Sequence, residues 1–365
     1  MDLQVYINAS LSDGYFTNFS SDNETQRFLY SEDVHYPYYG DYLAKLRAGY
    51  GYVHGYLSFA FCVFGITANV LNVIVLTRKI MLSPTNAILT GLAMADMLVM
   101  VSYLPFTYHN YIRTDIPETE KFSYGWAVFT LFHAHFTIVF HTISTWLTVT
   151  VAIWRFLAVS FPQNTTVWCN MRRAKYAIFF TYMMSAIFCI PAYLTFSIFS
   201  FQDKEGQVVY IVNFSDIAKR HNNLLKNMNF WIFSVITKLV PCVALTGISL
   251  GLIRILYERN QRRKRLKRNQ DHDRTTQMLL AVLLLFLLTE FPSGLLALLS
   301  GILGSEFFEN VYVNFGDIMD ALALINSAIN FIIYCSMSQQ FRNTFANLFF
   351  PNCVKNVTNG TVTSV

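Results

Sequence analysis

The chain has 365 residues, of which 54% are hydrophobic, 16% aromatic and only 13% charged, with a formal net charge of +5. Soluble domains carry about 25% charged residues, and the mean hydropathy of +0.36 excludes disorder and argues against the two-domain soluble enzyme that length alone would allow. The charges cluster between long uncharged runs, which leaves a polytopic membrane protein.

Residues 1–53 lack an apolar run that could act as a cleavable signal and are predicted as an outer tail. A helix needs roughly 20 mainly apolar residues to cross the hydrocarbon core. Seven stretches qualify, at about 56–77, 86–112, 122–153, 176–201, 228–253, 276–303 and 311–337. These runs are continuous rather than alternating, so the fold class is an all-α membrane protein, a seven-helix bundle over 54–337, and not a β-barrel. Pro105, Pro191, Pro241 and Pro292 fall inside spans, where neighbouring helices accommodate kinks.

Basic residues mark the inner side of a membrane protein. Arg78, Lys79, Arg172, Arg173, Lys175 and the 262–268 block, with Arg263, Lys264 and Arg265, lie on one set of connections. Acids dominate the other set, among them Asp115, Glu118, Asp203, Glu306 and Glu309. The N-terminus is therefore predicted outside and the C-terminus inside. Sequons at Asn8, Asn18, Asn23 and Asn213 fall outside and are expected to be glycosylated, whereas those at Asn164, Asn356 and Asn359 face inward. The basic block reads as an anchor near anionic membrane lipid and a partner surface, so no nucleic-acid partner is expected. No cysteine lies in the predicted outer segments, which argues against an outer disulfide framework. Cys353 is a palmitoylation candidate, with a plain thiol equally open.

Polar strings inside the spans carry a resemblance. They are Gly65-Ile-Thr-Ala-Asn69, Leu92-Ala-Met-Ala-Asp96, Trp154-Arg155-Phe156 continuing to Pro162, Pro241, Pro292, and Asn326-Ser-Ala-Ile-Asn330-Phe-Ile-Ile-Tyr334 followed by Gln339-Gln-Phe-Arg342. In this order, over roughly 55–350, the chain resembles the rhodopsin-like (class A) G-protein-coupled receptors. The resemblance implies an amphipathic eighth helix over 338–350 and a cytoplasmic tail over 351–365. There are departures: Trp154 stands where the family has an acid, Glu290 where it has a tryptophan, Phe331 replaces a proline, Ser249 a tyrosine and Thr130 a disulfide cysteine. With His133-Ala-His135, Lys238-Leu-Val-Pro-Cys242 and Thr289-Glu-Phe-Pro292, these departures look like the invertebrate myosuppressin and FMRFamide-type neuropeptide receptors.

The resemblance implies a plasma-membrane receptor for an amidated peptide ending Arg-Phe-amide. Such a protein is not an enzyme, and it acts on a heterotrimeric G protein, with the Gi/o class implied. Asp96, Asn69, Ser144, Asn326, Ser327 and Asn330 would converge on a pocket that holds an allosteric sodium ion in relatives; a hydrogen-bonded network is the alternative. Ionisable groups in a membrane interior are costly and face the bundle or a cavity. Glu290, Lys238 and His141 are accordingly expected to form a polar switch with Phe286, Pro292 and Tyr334, and a static packing pair is the alternative. The ligand's arginine prefers a bidentate carboxylate, with Asp320 expected first, then Asp317 or Glu290. His133 is a further candidate, and Phe106, Tyr108, Trp126 and Phe315 would supply aromatic surface.

At the inner face Arg155 is expected to meet the G protein with Arg263, Lys264 and Arg265, lacking the restraint that Trp154 removes. Arrestin and receptor kinases are implied partners for a tail carrying Thr358, Thr361, Thr363 and Ser364. A chemosensory receptor for a small molecule stays open, because a fold does not settle the ligand. A transporter is the rival from another class, but the halves show no convincing repeat. Leu324 excludes a retinal Schiff base, and Thr137 stands where an amine receptor has its acid.

Overall fold

A computed structural model describes residues 37–202, 206–265 and 273–351. Helix α1 spans Gly40–Leu76, α2 Pro84–Thr107, α3 Tyr124–Ser160 and α4 Met171–Phe188, which continues after a break at Cys189 as Ile190–Thr195. A hairpin follows, with β1 (Phe196–Gln202) antiparallel to β2 (Val208–Phe214) and Phe196 opposite Phe214. Helix α5 comprises Asp216–Trp231, the π-helical turns Ile232–Leu239 and Val240–Arg265. Helix α6 spans Asp273–Leu303, π-helical turns Phe308–Tyr312 lead into α7 (Val313–Met337), and α8 is Gln339–Phe349.

Polar residues start these helices where the spans meet water. Ser83 accepts from the Asn86 amide with Pro84 behind it, Asn170 accepts from Arg173, Ser215 from Ala218 and Ser338 from Phe341. Each satisfies an amide that the helix cannot. Among the described residues six helices are long and apolar enough to cross a membrane, and α6 adds the apolar stretch Leu287–Leu303. Large apolar side chains such as Phe179, Phe180, Val243, Leu250 and Leu288 stand exposed on the bundle's outside. That surface would make a soluble protein aggregate; on a multi-pass membrane protein it is the lipid-facing surface.

Three expectations need correction. Helix α1 starts at Gly40 rather than near 56, so residues 40–53, assigned to the tail, are its first turns. Their charges and glycines hid them from an apolarity criterion. A tertiary contact reaches them instead, Arg47 lying 4.0 Å from Asp317 of α7, and just beyond them a Cβ on Gly55 would sit 2.5 Å from Tyr111 Cβ. At 37 residues and a rise of 1.5 Å each, α1 is about 55 Å long and overshoots a hydrocarbon core of about 30 Å. The fourth span ends at Thr195, not 201, because the Phe- and Ile-containing run 196–202 pairs with β2. The fifth helix begins at Asp216 rather than 228, its first turns being too polar to register as a span.

The main apolar core joins α1, α2, α3 and α7 through Val75, Leu92, Ile143, Leu147 and Ile333. Asn69 donates to the Gly65 and Ser327 carbonyls, both at 2.9 Å, tying α1 to α7. A Cβ on Gly65 would displace the end of the Met100 side chain and press on Ala328 Cβ at 3.0 Å, so glycine lets the helices approach here. Phe331 meets Phe341 and Phe345 of α8 edge to face, at 5.9 and 5.6 Å. The residue that replaces the expected proline is thus an anchor for the eighth helix.

Candidate functional site

The π-helical turns of α5 hold Lys238, and the unbroken α6 carries Glu290 two residues before Pro292. Lys238 Nζ lies 2.9 Å from Glu290 Oε2, and His141 Nε2 of α3 lies 3.3 Å from the same oxygen and 3.2 Å from the ammonium. Lys238 and Glu290 are 6% and 2% exposed. Glu290 Oε1 has no hydrogen-bond partner among the described residues. Two charges this deep persist only as a pair, because either alone would face a desolvation cost of several kcal/mol. The arrangement therefore couples α3, α5 and α6 through one acceptor oxygen. Pro292 lies on α6 two residues before Lys238's neighbour Gly294, and the side chain of Phe286 lies outside the described residues.

A second cluster lies between α2, α3 and α7. Ser144 donates to Asp96 Oδ1 at 2.6 Å and Asn330 donates to Oδ2 at 3.1 Å, while Ser327 is buried on α7 with its carbonyl accepting from Asn69. Asn69 Oδ1 is buried with no partner among the described residues. Carboxylate, hydroxyl and amide oxygens suit a small hard cation, so Asp96, Ser144, Ser327 and Asn69 fit sodium. Asn330 presents its NH2 and so holds the carboxylate rather than a cation, and Asn326 is half-buried and not bonded to Asp96. A cavity of about 20 Å3 lined by Tyr103, Thr137, His141, Asp320 and Ser327 separates the two clusters. It is large enough for one water, which needs about 10–15 Å3.

The expected ligand acids are already engaged. Asp317 accepts from Tyr111 at 3.0 Å and lies 4.0 Å from Arg47 Nε, while Asp320 accepts from Tyr103 at 3.4 Å. His54, fully buried, meets Tyr103 at 3.3 Å and the Tyr111 ring at 4.8 Å. Arg47, His54, Tyr103 and Tyr111 were not anticipated. Arg47 lay in the assigned tail, and buried polar residues within apolar spans were the available signal for the others.

The remaining candidates mostly serve packing. His133 has no exposed surface; it bonds Ser102 at 2.8 Å and stacks on Phe106 at 4.4 Å. Trp126 stacks on His109 at 3.5 Å between ring centres, Phe315 is half-buried on α7, and Tyr108 is half-exposed. His135 instead bonds the Ala192 carbonyl at 3.0 Å.

The large cavity, about 270 Å3, opens elsewhere, between α4, α5, α6 and the turns before α7, beneath the hairpin. Trp231, Phe233 and Thr237 of α5 line it with Phe308 and Tyr312, and its charged groups are Lys226 and Glu309. None of Asp317, Asp320, His133, Phe106, Trp126 and Phe315 lines it. Asp317, Asp320, His133 and Phe106 instead contact one another's helices α1, α2, α3 and α7. The cavity wall residue Thr237 precedes Lys238 in the same π-helical turns, a geometry that recurs at functional sites.

At the α8 end, Arg155 is partly buried with its Nε unpartnered among the described residues. Tyr334 is buried against Phe341 at 5.6 Å. The side chains of Arg263, Lys264 and Arg265, and all of Asn8, Asn18, Asn23 and Cys353, lie outside the described residues. Asn213 sits in β2, its Oδ1 accepting from the Phe214 amide.

Comparison with known proteins gives a consistent picture. Residues 56–352 match the model of the family described as serpentine type 7TM GPCR chemoreceptor Srw. The chain is 33% identical to the G-protein coupled receptor dmsr-1 of Caenorhabditis elegans over 377 residues, covering 90% of this chain and 74% of that protein. It is 27% identical to the sex peptide receptor of Drosophila melanogaster, covering 81% and 72%. It is 25% identical to the FMRFamide receptor of Drosophila melanogaster, covering 79% and 52%.

Proposed function

The chain belongs to the seven-transmembrane G-protein-coupled receptor family, and from that premise we propose that it is a plasma-membrane receptor for an amidated Arg-Phe-type neuropeptide of the myosuppressin/FMRFamide kind. Its N-terminus lies outside, and it promotes nucleotide exchange on a heterotrimeric G protein, with the Gi/o class the one the resemblance implies. The names of the sex peptide and FMRFamide receptors support a peptide ligand.

One observation carries the mechanism: the π-helical turns of α5 line the large cavity through Ile232, Phe233 and Thr237 and hold Lys238 against Glu290 of α6. A ligand seated in the cavity presses on those turns. Moving Lys238 strips Glu290 of its cation, so α6 must shift to restore compensation for a buried charge. Binding drives this only by favouring the shifted bundle over the resting one. Asp96, Ser144, Ser327 and Asn69 would hold sodium in the resting bundle, where the ion supplies a fixed positive charge. At the inner face, Arg155 and the basic end of α5 receive the G protein, and the tail receives kinases and arrestin.

The test is agonist-stimulated nucleotide exchange in cells expressing the full chain, screened with amidated Arg-Phe peptides. Exchange that rises with peptide dose supports the proposal; exchange driven only by small odorant-class molecules, or substrate flux without exchange, contradicts it.

A further inference from the structure

The carboxylates around the hairpin end differ in what they already hold. Asp317 has Tyr111 and Arg47, Asp320 has Tyr103, Glu290 has Lys238 and His141, and Glu120 pairs with Arg113 at 2.8 Å. Asp320 also borders a cavity of only about 20 Å3, too small for a side chain. Glu309 is different. It stands exposed on the π-helical turns before α7, lines the 270 Å3 cavity and makes no ion pair within 4.0 Å with a described residue.

Its surroundings select a particular cation. Phe308 and Tyr312, one residue before Glu309 and three after it, stack with ring centres 5.2 Å apart and planes 18° from parallel, and both line the cavity. A carboxylate beside flat aromatic faces suits a guanidinium, which bonds a carboxylate through its planar fork and lies against rings. A compact ammonium gains less from the same geometry. The cavity's own cation, Lys226, is drawn elsewhere, its Nζ lying 4.4 Å from the centre of the Phe214 ring. Trp231 and Phe233 add further aromatic surface to the same cavity.

We infer that Glu309 is the receiving group for the ligand's arginine and that the aromatic wall behind it takes the adjacent ring. The occupant is a peptide segment with a guanidinium next to an aromatic side chain. Lys226 is a like-charged competitor in this arrangement: it attracts Glu309 across the cavity and repels the incoming arginine. The inference rests on the peptide reading above, and it moves the arginine partner away from Asp320, Asp317 and Glu290.

The experiment uses the full chain in cells, an exchange readout and two probes: Phe-Met-Arg-Phe-amide, and the same peptide with citrulline in place of arginine, which keeps the shape and removes the charge. A hydrogen bond between charged groups is worth roughly 1.5–3 kcal/mol, so E309Q is expected to raise the half-maximal dose of the arginine peptide roughly 10- to 100-fold. The citrulline peptide should shift by less than about threefold with E309Q, since its uncharged urea gains only an ordinary hydrogen bond. K226Q should shift the arginine peptide the opposite way, to lower dose, which loss of a structural residue would not do. An E309Q receptor at normal surface level that responds to both probes as the native chain does, or loses both equally, overturns the inference. Should E309Q fail to reach the surface, K226Q still decides, because an unchanged or raised dose overturns it. A native receptor that ignores every amidated arginine peptide would overturn the peptide reading itself, which is a different result from a native response left untouched by E309Q.

Discussion

Lys238 of α5 and Glu290 of α6 meet at 2.9 Å with their side chains 7% and 2% exposed, and His141 of α3 closes the triangle. A buried ion pair contributes little net stability relative to apolar residues, yet removing one partner costs about 3–5 kcal/mol. The pair therefore resists any motion that separates it and rewards any motion that re-forms it.

That asymmetry predicts a double-mutant cycle. Glu290→Leu alone and Lys238→Met alone should each lower the thermal midpoint of the detergent-purified receptor, by roughly 3–5 kcal/mol in stability terms. The double variant should recover most of the loss. Additive losses would show that the two groups do not act as a pair.

The Asp96 cluster predicts a cation effect. Agonist dissociation should speed up as sodium chloride is raised against a constant-ionic-strength choline background, and Asp96→Asn should abolish the dependence. A dependence that survives Asp96→Asn would place the ion elsewhere.

Asp317 predicts a stability phenotype rather than a ligand phenotype, because it is held by Tyr111 and Arg47. Asp317→Asn should cost about 1–3 kcal/mol of stability by weakening charged hydrogen bonds. Peptide potency should change by less than about threefold, under 1 kcal/mol. A tenfold loss of potency at native surface level would return Asp317 to the ligand site.

Arg155 follows Trp154, which cannot pair with it as an acid would. Trp154→Asp should give the guanidinium a partner worth roughly 1.5–3 kcal/mol and lower ligand-free exchange at least severalfold. Unchanged ligand-free exchange would mean that Arg155 is restrained by another group.

Much of this was legible in the sequence because charge inside an apolar run is conspicuous. Asp96, Glu290 and Lys238 stand out for that reason, and family order along the chain places them at one depth. What was not legible depends on contacts between distant segments. The first turns of α1 are too polar to read as a span and are held by Arg47, His54 and Gly55 against α2 and α7. The hairpin reads as the end of a helix until β1 finds β2. Position alone marked Asp320, Asp317, Phe106 and His133 as ligand residues, and what could not be read from position is that Tyr103, Tyr111 and Ser102 engage them within the bundle. Glu309 read only as one of the outer acids, because the π-helical turns that place it at the cavity leave no mark in the residue pattern.

The most direct measurement compares peptide binding with nucleotide exchange for Glu290→Gln in the full receptor. The account predicts retained peptide binding by the receptor that reaches the surface, with ligand-free exchange or maximal stimulation, each normalised to surface level, changed severalfold. Native values for both exchange measures would contradict it, since the pair would then be a static brace and not the link between the cavity and the inner face.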